Sequence, residues 1–272
     1  MNSPLTYPGG KNGMANKILP FIPDHKSYVE PFFGSGGIFF KKKKVAIETI
    51  NDLNSDVVNL FKILQDEKKF KEFFRIIEFT PYSREIYNEA KEYEKHEIGS
   101  IQRSALYFIN IRFSFSGSLN AGWGYSLKDD SLNTKKWFSS VKRLPQIVKR
   151  LKQVQIENDD FFKVMIRYQN NDCFMYCDPP YLMETRKDKK IYKHEMTNED
   201  HERFLKTCLI CKGKMMISGY DSDMYNDYLS GWYKKEIKVK LHMDNSQLRD
   251  KQDRTEVLWM NYDINKDQPE LF

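Results

Sequence analysis

Residues 173–181 read CFMYCDPPY, an apolar run that ends in an acid, two prolines and a tyrosine. The Asp178 carboxylate and the Pro179 peptide oxygen are two acceptors that can hold both hydrogens of an amino group. Proline stiffens the backbone between them, and Tyr181 offers a flat face for stacking. An Asp-Pro-Pro sequence also makes an ordinary turn. Other residues must decide between a site and a bend.

A second group lies upstream. In EPFFGSGG, residues 30–37, Gly34 and Gly36 let a ligand approach the backbone closely. Phe39 stands where a dinucleotide fingerprint needs its last glycine, and GGKNG lacks the Ser/Thr of a phosphate-binding P-loop. Asp52 ends the next expected strand, where a carboxylate can bond both hydroxyls of a ribose or cap a helix. A glycine turn and a second-strand acid, without a pyrophosphate pattern, fit an adenosine ligand such as S-adenosylmethionine.

The elements that would carry these residues alternate. SYVE, KVAIETIN, VQIEN, CFMYC, KMMISGY and EVLWMNY read as strands. A helix is expected to start after the glycine turn. Val57, Leu60, Phe61 and Leu64 recur at helical spacing behind the candidate caps Asn54 and Ser55. EDHERFLKTCLICK also reads as a helix. Apolar strands alternating with helices indicate a parallel α/β sheet covered on both faces. From about Phe70 to Lys149 the alternation stops. Helical patterns, an aromatic stretch (LYFINIRFSFSGSLNAGWGYS) and a basic stretch suggest an inserted second domain, with a packed strand face at Phe113 and Phe115 as one reading.

Between Lys128 and Lys152 eight bases face two acids, which equals the whole chain's net charge of +6. Such concentration favours a polyanionic partner, although a solvated lysine-rich surface has the same composition. Hydrophobic residues make up 40% of the 272, enough for a packed core, yet no run of membrane-spanning length occurs. The first residues lack a secretory pattern, so a cytoplasmic location is expected. Cys208 and Cys211 have a zinc-like spacing, but with Cys173 and Cys177 they sit in apolar patterns that suit core packing, and no metal is expected.

The order YPGGK, VEPFFGSGG, INDLN, an insertion, NDDFF, DPPY, ISGY and EVLWMNY resembles the Dam-type, D12 class N6-adenine DNA methyltransferases with the alpha order of motifs. The resemblance spans nearly the whole chain. It implies a Rossmann-like, S-adenosylmethionine-dependent core over residues 1–66 and 150–272, and a mainly helical target-recognition insertion over 67–149. By this resemblance Tyr7, Lys11, Glu30, Phe32, Gly34, Gly36, Asp52, Asp160, Phe161 and Asp178 would contact the methyl donor, whose product is S-adenosylhomocysteine. Asp178, Pro179, Pro180 and Tyr181 would form the catalytic loop. Double-stranded DNA would be the substrate, its target base flipped out because N6 is unreachable in the stack. Arg112, Asn120, Lys128, Lys135, Lys136, Lys142 and Arg143 are the candidate DNA contacts. Where GATC-reading members carry Arg-Tyr-Asn and Asn-Val-Pro, this chain reads RFSFSG and LNAGWG, so adenine is the expected target but GATC is not assured. A cognate restriction endonuclease, not encoded in this chain, is a possible partner. A cytosine-N4 or RNA amino-methyltransferase, or a catalytically silent DNA-binding module, are the competing readings.

Overall fold

The computed structural model describes residues 1–6, 9–117, 121–127, 132–186, 193–239 and 254–264. Tyr7, Asn120 and Lys128 fall outside the described residues. The strands are β1 (Ser27–Glu30), β2 (Ile47–Asn51), β3 (Val154–Glu157), β4 (Cys173–Cys177), β5 (Lys214–Gly219), β6 (Tyr233–Val239) and β7 (Arg254–Met260). They form one mixed seven-stranded sheet in the order β3-β2-β1-β4-β5-β7-β6. Pairings β1–β2, β1–β4 and β4–β5 are parallel, while β7 runs antiparallel to both β5 and β6. The Rossmann-like expectation is met, with one difference: the sheet is not wholly parallel.

The helices are α1 (Ala15–Ile18), α2 (Ser55–Gln65), α3 (Glu67–Glu78), α4 (Arg84–Lys91), α5 (Ser100–Phe113), α6 (Asn133–Leu151), α7 (Phe161–Tyr168), α8 (Asn198–Ile210) and α9 (Asp223–Tyr228). Side chains of Asn54, Asp66, Ser83, Asp160, Thr197 and Ser222 cap six of them by accepting a first-turn N–H. Thr197 and Asp200 complete a reciprocal capping box.

The chain divides into two compact units, one comprising Met1–Gly13, Gly34–Lys42 and Asp52–Asn158, the other Met14–Phe33, Lys43–Asn51 and Asp159–Phe272. In the first, α2 to α6 supply most of the regular structure. Trp137, Leu144 and Ile147 of α6 are buried with Phe73 of α3 and Phe108 of α5, while Lys135, Lys136 and Lys142 on α6 are exposed. Phe113 and Phe115 do not share a strand face. Phe113 ends α5, Phe115 opens a 3-10 turn, and among the described residues of this stretch only the isolated bridge Ser114–Trp123 has strand character.

In the second unit one sheet face carries an apolar core. Val29, Met175, Cys177, Met215, Ile217, Val257 and Trp259 pack there with residues of α7, α8 and α9. Side chains alternate across a strand, so the intervening residues Tyr28, Glu30, Tyr176, Ser218 and Glu256 share the opposite face. All five are buried. Strand order reverses between β1 and β4, and in open α/β sheets ligands bind beyond the carboxyl ends of strands at such a reversal.

Two further expectations change. No helix follows the glycine turn after β1: residues 31–46 form turns, with Gly34 and Gly36 at φ of 49° and 70° and four lysines, 41 to 44, closing the segment. Strand β6 was not foreseen, because YKKEIKV lacks an apolar run. Among the described residues it pairs only with β7, and its Lys234, Lys235, Glu236 and Lys238 are exposed. Cys173, Cys177 and Cys208 are buried free thiols, and among the described residues no group of His, Cys, Asp and Glu could hold a metal ion. No helix among the described residues is long and apolar enough to cross a membrane.

Candidate active site

The loop after β4 begins where the strand's last buried residue, Cys177, gives way to the half-buried Asp178. Asp178 Oδ1 accepts a hydrogen bond from Ser218 Oγ at 2.9 Å, and Ser218 also shares a 2.8 Å hydrogen bond with the Tyr176 hydroxyl. A serine hydroxyl has one proton. Since Ser218 gives it to Asp178, Tyr176 donates to Ser218, and the chain of bonds points at the carboxylate. Parallel pairing of β4 with β5 builds this arrangement, because it sets Cys177 beside Ile217 and brings Asp178 to the level of Ser218.

Tyr181 is buried at 8% exposure. Its hydroxyl lies 3.3 Å from Asp178 Oδ1 and donates to Glu256 Oε1 of β7. Its ring meets Tyr220 edge-on at 4.6 Å between centroids. Burial first, then the charges of Asp178 and Glu256, pushes the Tyr181 phenol well above its usual range, so it stays protonated. Pro179 is buried and Pro180 half-buried, and every peptide bond here is trans. Beyond the loop, Arg186 and Glu195 form a bidentate ion pair at 3.2 and 2.6 Å.

The second unit also gathers an aromatic group. Phe32, Phe161 and Phe204 have ring centroids 5.4, 5.4 and 5.7 Å apart in their three pairs. Asp160 caps α7 through Phe162 N and pairs with Arg203 at 2.7 Å, and that guanidinium lies 4.6 Å from the Phe161 ring centroid. Asn51, buried at the end of β2, holds the segment in place: its Nδ2 donates to the carbonyls of Pro31 and Asp159, and its Oδ1 accepts from Asp159 N. Glu30 is buried, with Tyr28 Oη donating to its Oε2 at 2.8 Å. Thus Glu30 has a structural partner, while Phe32, Asp160 and Phe161 lie together.

In the first unit Gly34 N donates to Asp52 Oδ2 at 2.6 Å and Asn54 N donates to Oδ1 at 2.8 Å. Asp52 therefore is not the helix cap; Asn54 fills that role. Both oxygens are oriented by backbone donors. Gly37 is an unforeseen requirement of the same turn. A Cβ there would sit 2.7 Å from the Asn12 backbone nitrogen and 2.9 Å from the Lys11 carbonyl carbon. Lys11 is buried at 5% exposure and donates to the Gly9 carbonyl.

Of the basic candidates, Arg112 is tied inside this unit, donating to Thr6 Oγ1 at 2.7 Å and to the Lys136 carbonyl at 3.0 Å. Its Nε is buried with no hydrogen-bond partner. Burial, and then the Arg143 charge, lowers its pKa to about 10. Arg143 is half-buried, and burial lowers it too.

The family model for D12 class N6 adenine-specific DNA methyltransferases matches residues 7–245. The chain belongs to that family. This methyltransferase is 24% identical to Type II methyltransferase M.MjaIII of Methanocaldococcus jannaschii, over 95% of this chain and 98% of that one. It is 25% identical to a DNA adenine methylase of Vibrio cholerae, over 65% of this chain and 64% of that protein. A DNA N-6-adenine-methyltransferase of Escherichia phage P1 is also 25% identical, over 73% of this chain but 27% of the phage protein. Among solved structures, an rRNA methyltransferase, aviRa, from Streptomyces viridochromogenes matches loosely, with a TM-score of 0.39 and 12% identity over 97% of this methyltransferase and 90% of that chain.

The residues missed by sequence reasoning in this methyltransferase are Ser218, Tyr176, Glu256, Tyr220, Asn51, Arg203, Phe204 and Gly37. Tyr176 and Asp178 alternate along one strand, and Ser218 falls inside an apolar run, which was the available signal. Glu256 carried a similar one, as an acid inside a buried strand.

Proposed function

We propose that the chain is a site-specific DNA methyltransferase that moves the methyl group of S-adenosylmethionine to N6 of a flipped-out adenine in double-stranded DNA. The observation that carries this reading is the Asp178 carboxylate, placed at the carboxyl end of β4 beside the strand-order reversal and oriented by the Ser218 hydroxyl.

The adenine N6 lone pair is delocalised into the ring, so the amine is a weak nucleophile. Asp178 and the Pro179 carbonyl accept the two N6 hydrogens and direct that lone pair out of the ring plane. When bound, S-adenosylmethionine supplies an electrophilic sulfonium methyl. Fixed acceptors act by positioning and by electrostatics, with no covalent enzyme intermediate. Asp178 need not take a full proton first, because the N6 proton becomes acidic as the new bond forms. Tyr181 stacks on the extruded base.

The donor fits the residues present. Asp52, with both oxygens oriented by N–H groups, suits the two ribose hydroxyls, and Gly34 and Gly36 keep side chains off the turn. Lys11 serves the methionine end together with Tyr7, and Glu30 is a further donor contact. Asp160, Phe161 and Phe32 border the adenine ring. Residues 67–149 read the target, and residues 1–66 and 150–272 do the chemistry. Lys135, Lys136 and Lys142 meet phosphates, with Arg112, Arg143, Asn120 and Lys128 as further DNA contacts. A cognate restriction endonuclease, not encoded in this chain, is the proposed protein partner. The reaction belongs in the cytoplasm.

Sequencing of modified bases in DNA from cells expressing the chain tests this reading. N6-methyladenine in one sequence context is expected, and its loss with Asp178→Ala. N4-methylcytosine, or undiminished methylation with Asp178→Ala, would overturn it.

A further inference from the structure

The polar face of the sheet holds carboxylates that the mechanism above does not use, Glu256 among them. Glu256 is 4% exposed and its β7 neighbours Val257 and Leu258 are fully buried. A buried carboxylate is costly unless it is hydrogen-bonded. Glu256 receives the Tyr181 hydroxyl, the same hydroxyl that lies 3.3 Å from Asp178 Oδ1. A phenol has one proton to give, and 3.3 Å is long for an O–H···O bond. Two acids therefore compete for a single donor, and Glu256 holds it.

We propose that Glu256 is a positioning residue of methyl transfer: it accepts the Tyr181 hydroxyl's hydrogen bond, locks that ring, and so draws that hydroxyl away from Asp178. The inference rests on the reading of Asp178 as the N6 acceptor. Asp178 already accepts from Ser218. A second donor on the same oxygen withdraws negative charge from the carboxylate and weakens its hold on the amino group. With Glu256 neutralised, the Tyr181 proton turns to the remaining charged acceptor, Asp178. Glu256 touches neither substrate nor donor in this account and acts wholly through Tyr181. It also lies beyond residue 245, where the family match ends.

Glu256→Gln tests this, because it keeps the side chain's shape and removes its charge. Single-turnover methyl transfer should slow about tenfold, the scale of one hydrogen bond moved between a charged and a neutral acceptor. KM for DNA and for the donor should hold. In a Tyr181→Phe background, where no phenol proton exists, the same substitution should cause no further slowing. An equal loss in both backgrounds would mean a packing role alone and would overturn the proposal.

A second measurement needs no Glu256 variant. Isotope-edited infrared spectroscopy of tyrosine, assigned by the signal lost in Tyr181→Phe, should show a strongly donating phenol that Asp178→Asn leaves in place. A shift with Asp178→Asn would assign the proton to Asp178 and refute the role. Asp178→Ala in the transfer assay separates the two readings. If that variant is active, the proposed function itself fails; if it is inactive while Glu256→Gln is not slowed, only the positioning role fails.

Discussion

Asp52→Asn is the most discriminating perturbation of the donor half. In the unmutated chain each carboxylate oxygen accepts one backbone N–H, from Gly34 at 2.6 Å and from Asn54 at 2.8 Å. An asparagine keeps one acceptor oxygen and presents an NH2 group to the other N–H, so one bond is lost and a donor faces a donor. The amide also cannot accept from both ribose hydroxyls. A hydrogen bond to a charged group contributes about 1.5–3 kcal/mol. If one such bond to the ribose is lost, S-adenosylhomocysteine should bind about 10- to 100-fold more weakly, at about 1.4 kcal/mol per tenfold. The loss of the turn's own bond appears separately, as a lower midpoint in urea unfolding. Titration calorimetry with S-adenosylhomocysteine, on protein whose unfolding has been measured, reads the two effects apart. An affinity unchanged from the unmutated chain would remove Asp52 from the donor site and leave it as the anchor of the glycine turn.

Charge reversal at Lys135, Lys136 and Lys142, exposed on α6, should weaken DNA binding and flatten its dependence on salt, since each lost phosphate contact releases fewer counterions; an unchanged slope in a salt titration would place the DNA face elsewhere. His201 is fully buried, and burial lowers its pKa to about 4. An imidazole depressed below its unfolded value near 6.5 lets the unfolded chain bind the extra proton first. Stability should therefore hold above about pH 6.5 and fall toward pH 4, by about 3 kcal/mol at most from this group. Urea midpoints across that range should lose this part of their slope in His201→Leu; an identical slope would assign the acid sensitivity to other groups.

The parts of the fold that could be read in advance are those where burial writes itself locally. CFMYC is buried from end to end in the sheet's centre and KMMISG is buried from Met215 onward, and a strand buried on both faces must be largely apolar. Strand β6 is an edge with exposed lysines, so its pairing with β7 left no apolar trace. The turn after β1 was readable as glycine-dependent, but the absence of a helix there was not, because it depends on backbone torsions at Gly34 and Gly36. At the site, Asp178 and Asp52 stood out by motif. The Ser218 hydroxyl that bonds Asp178 and the Glu256 carboxylate that holds Tyr181 did not, since both come from strands far from the loop in sequence. Asn51 is similar: its three bonds join the ends of β1 and β2 to residue 159, and nothing local marks it.

The lysines on β6 have a consequence for how copies of the protein behave when crowded. Among the described residues β6 is bonded to β7 along one side and its Lys238 carbonyl accepts from Lys17 Nζ, while an edge strand in general offers backbone groups that can template a neighbour. Lys234, Lys235 and Lys238 outnumber Glu236 on that strand, so two such edges carry like net charge and repel before their peptide groups can register. A few ammonium groups remote from the chemistry thereby oppose edge-to-edge approach, and salt, which screens them, should weaken that opposition.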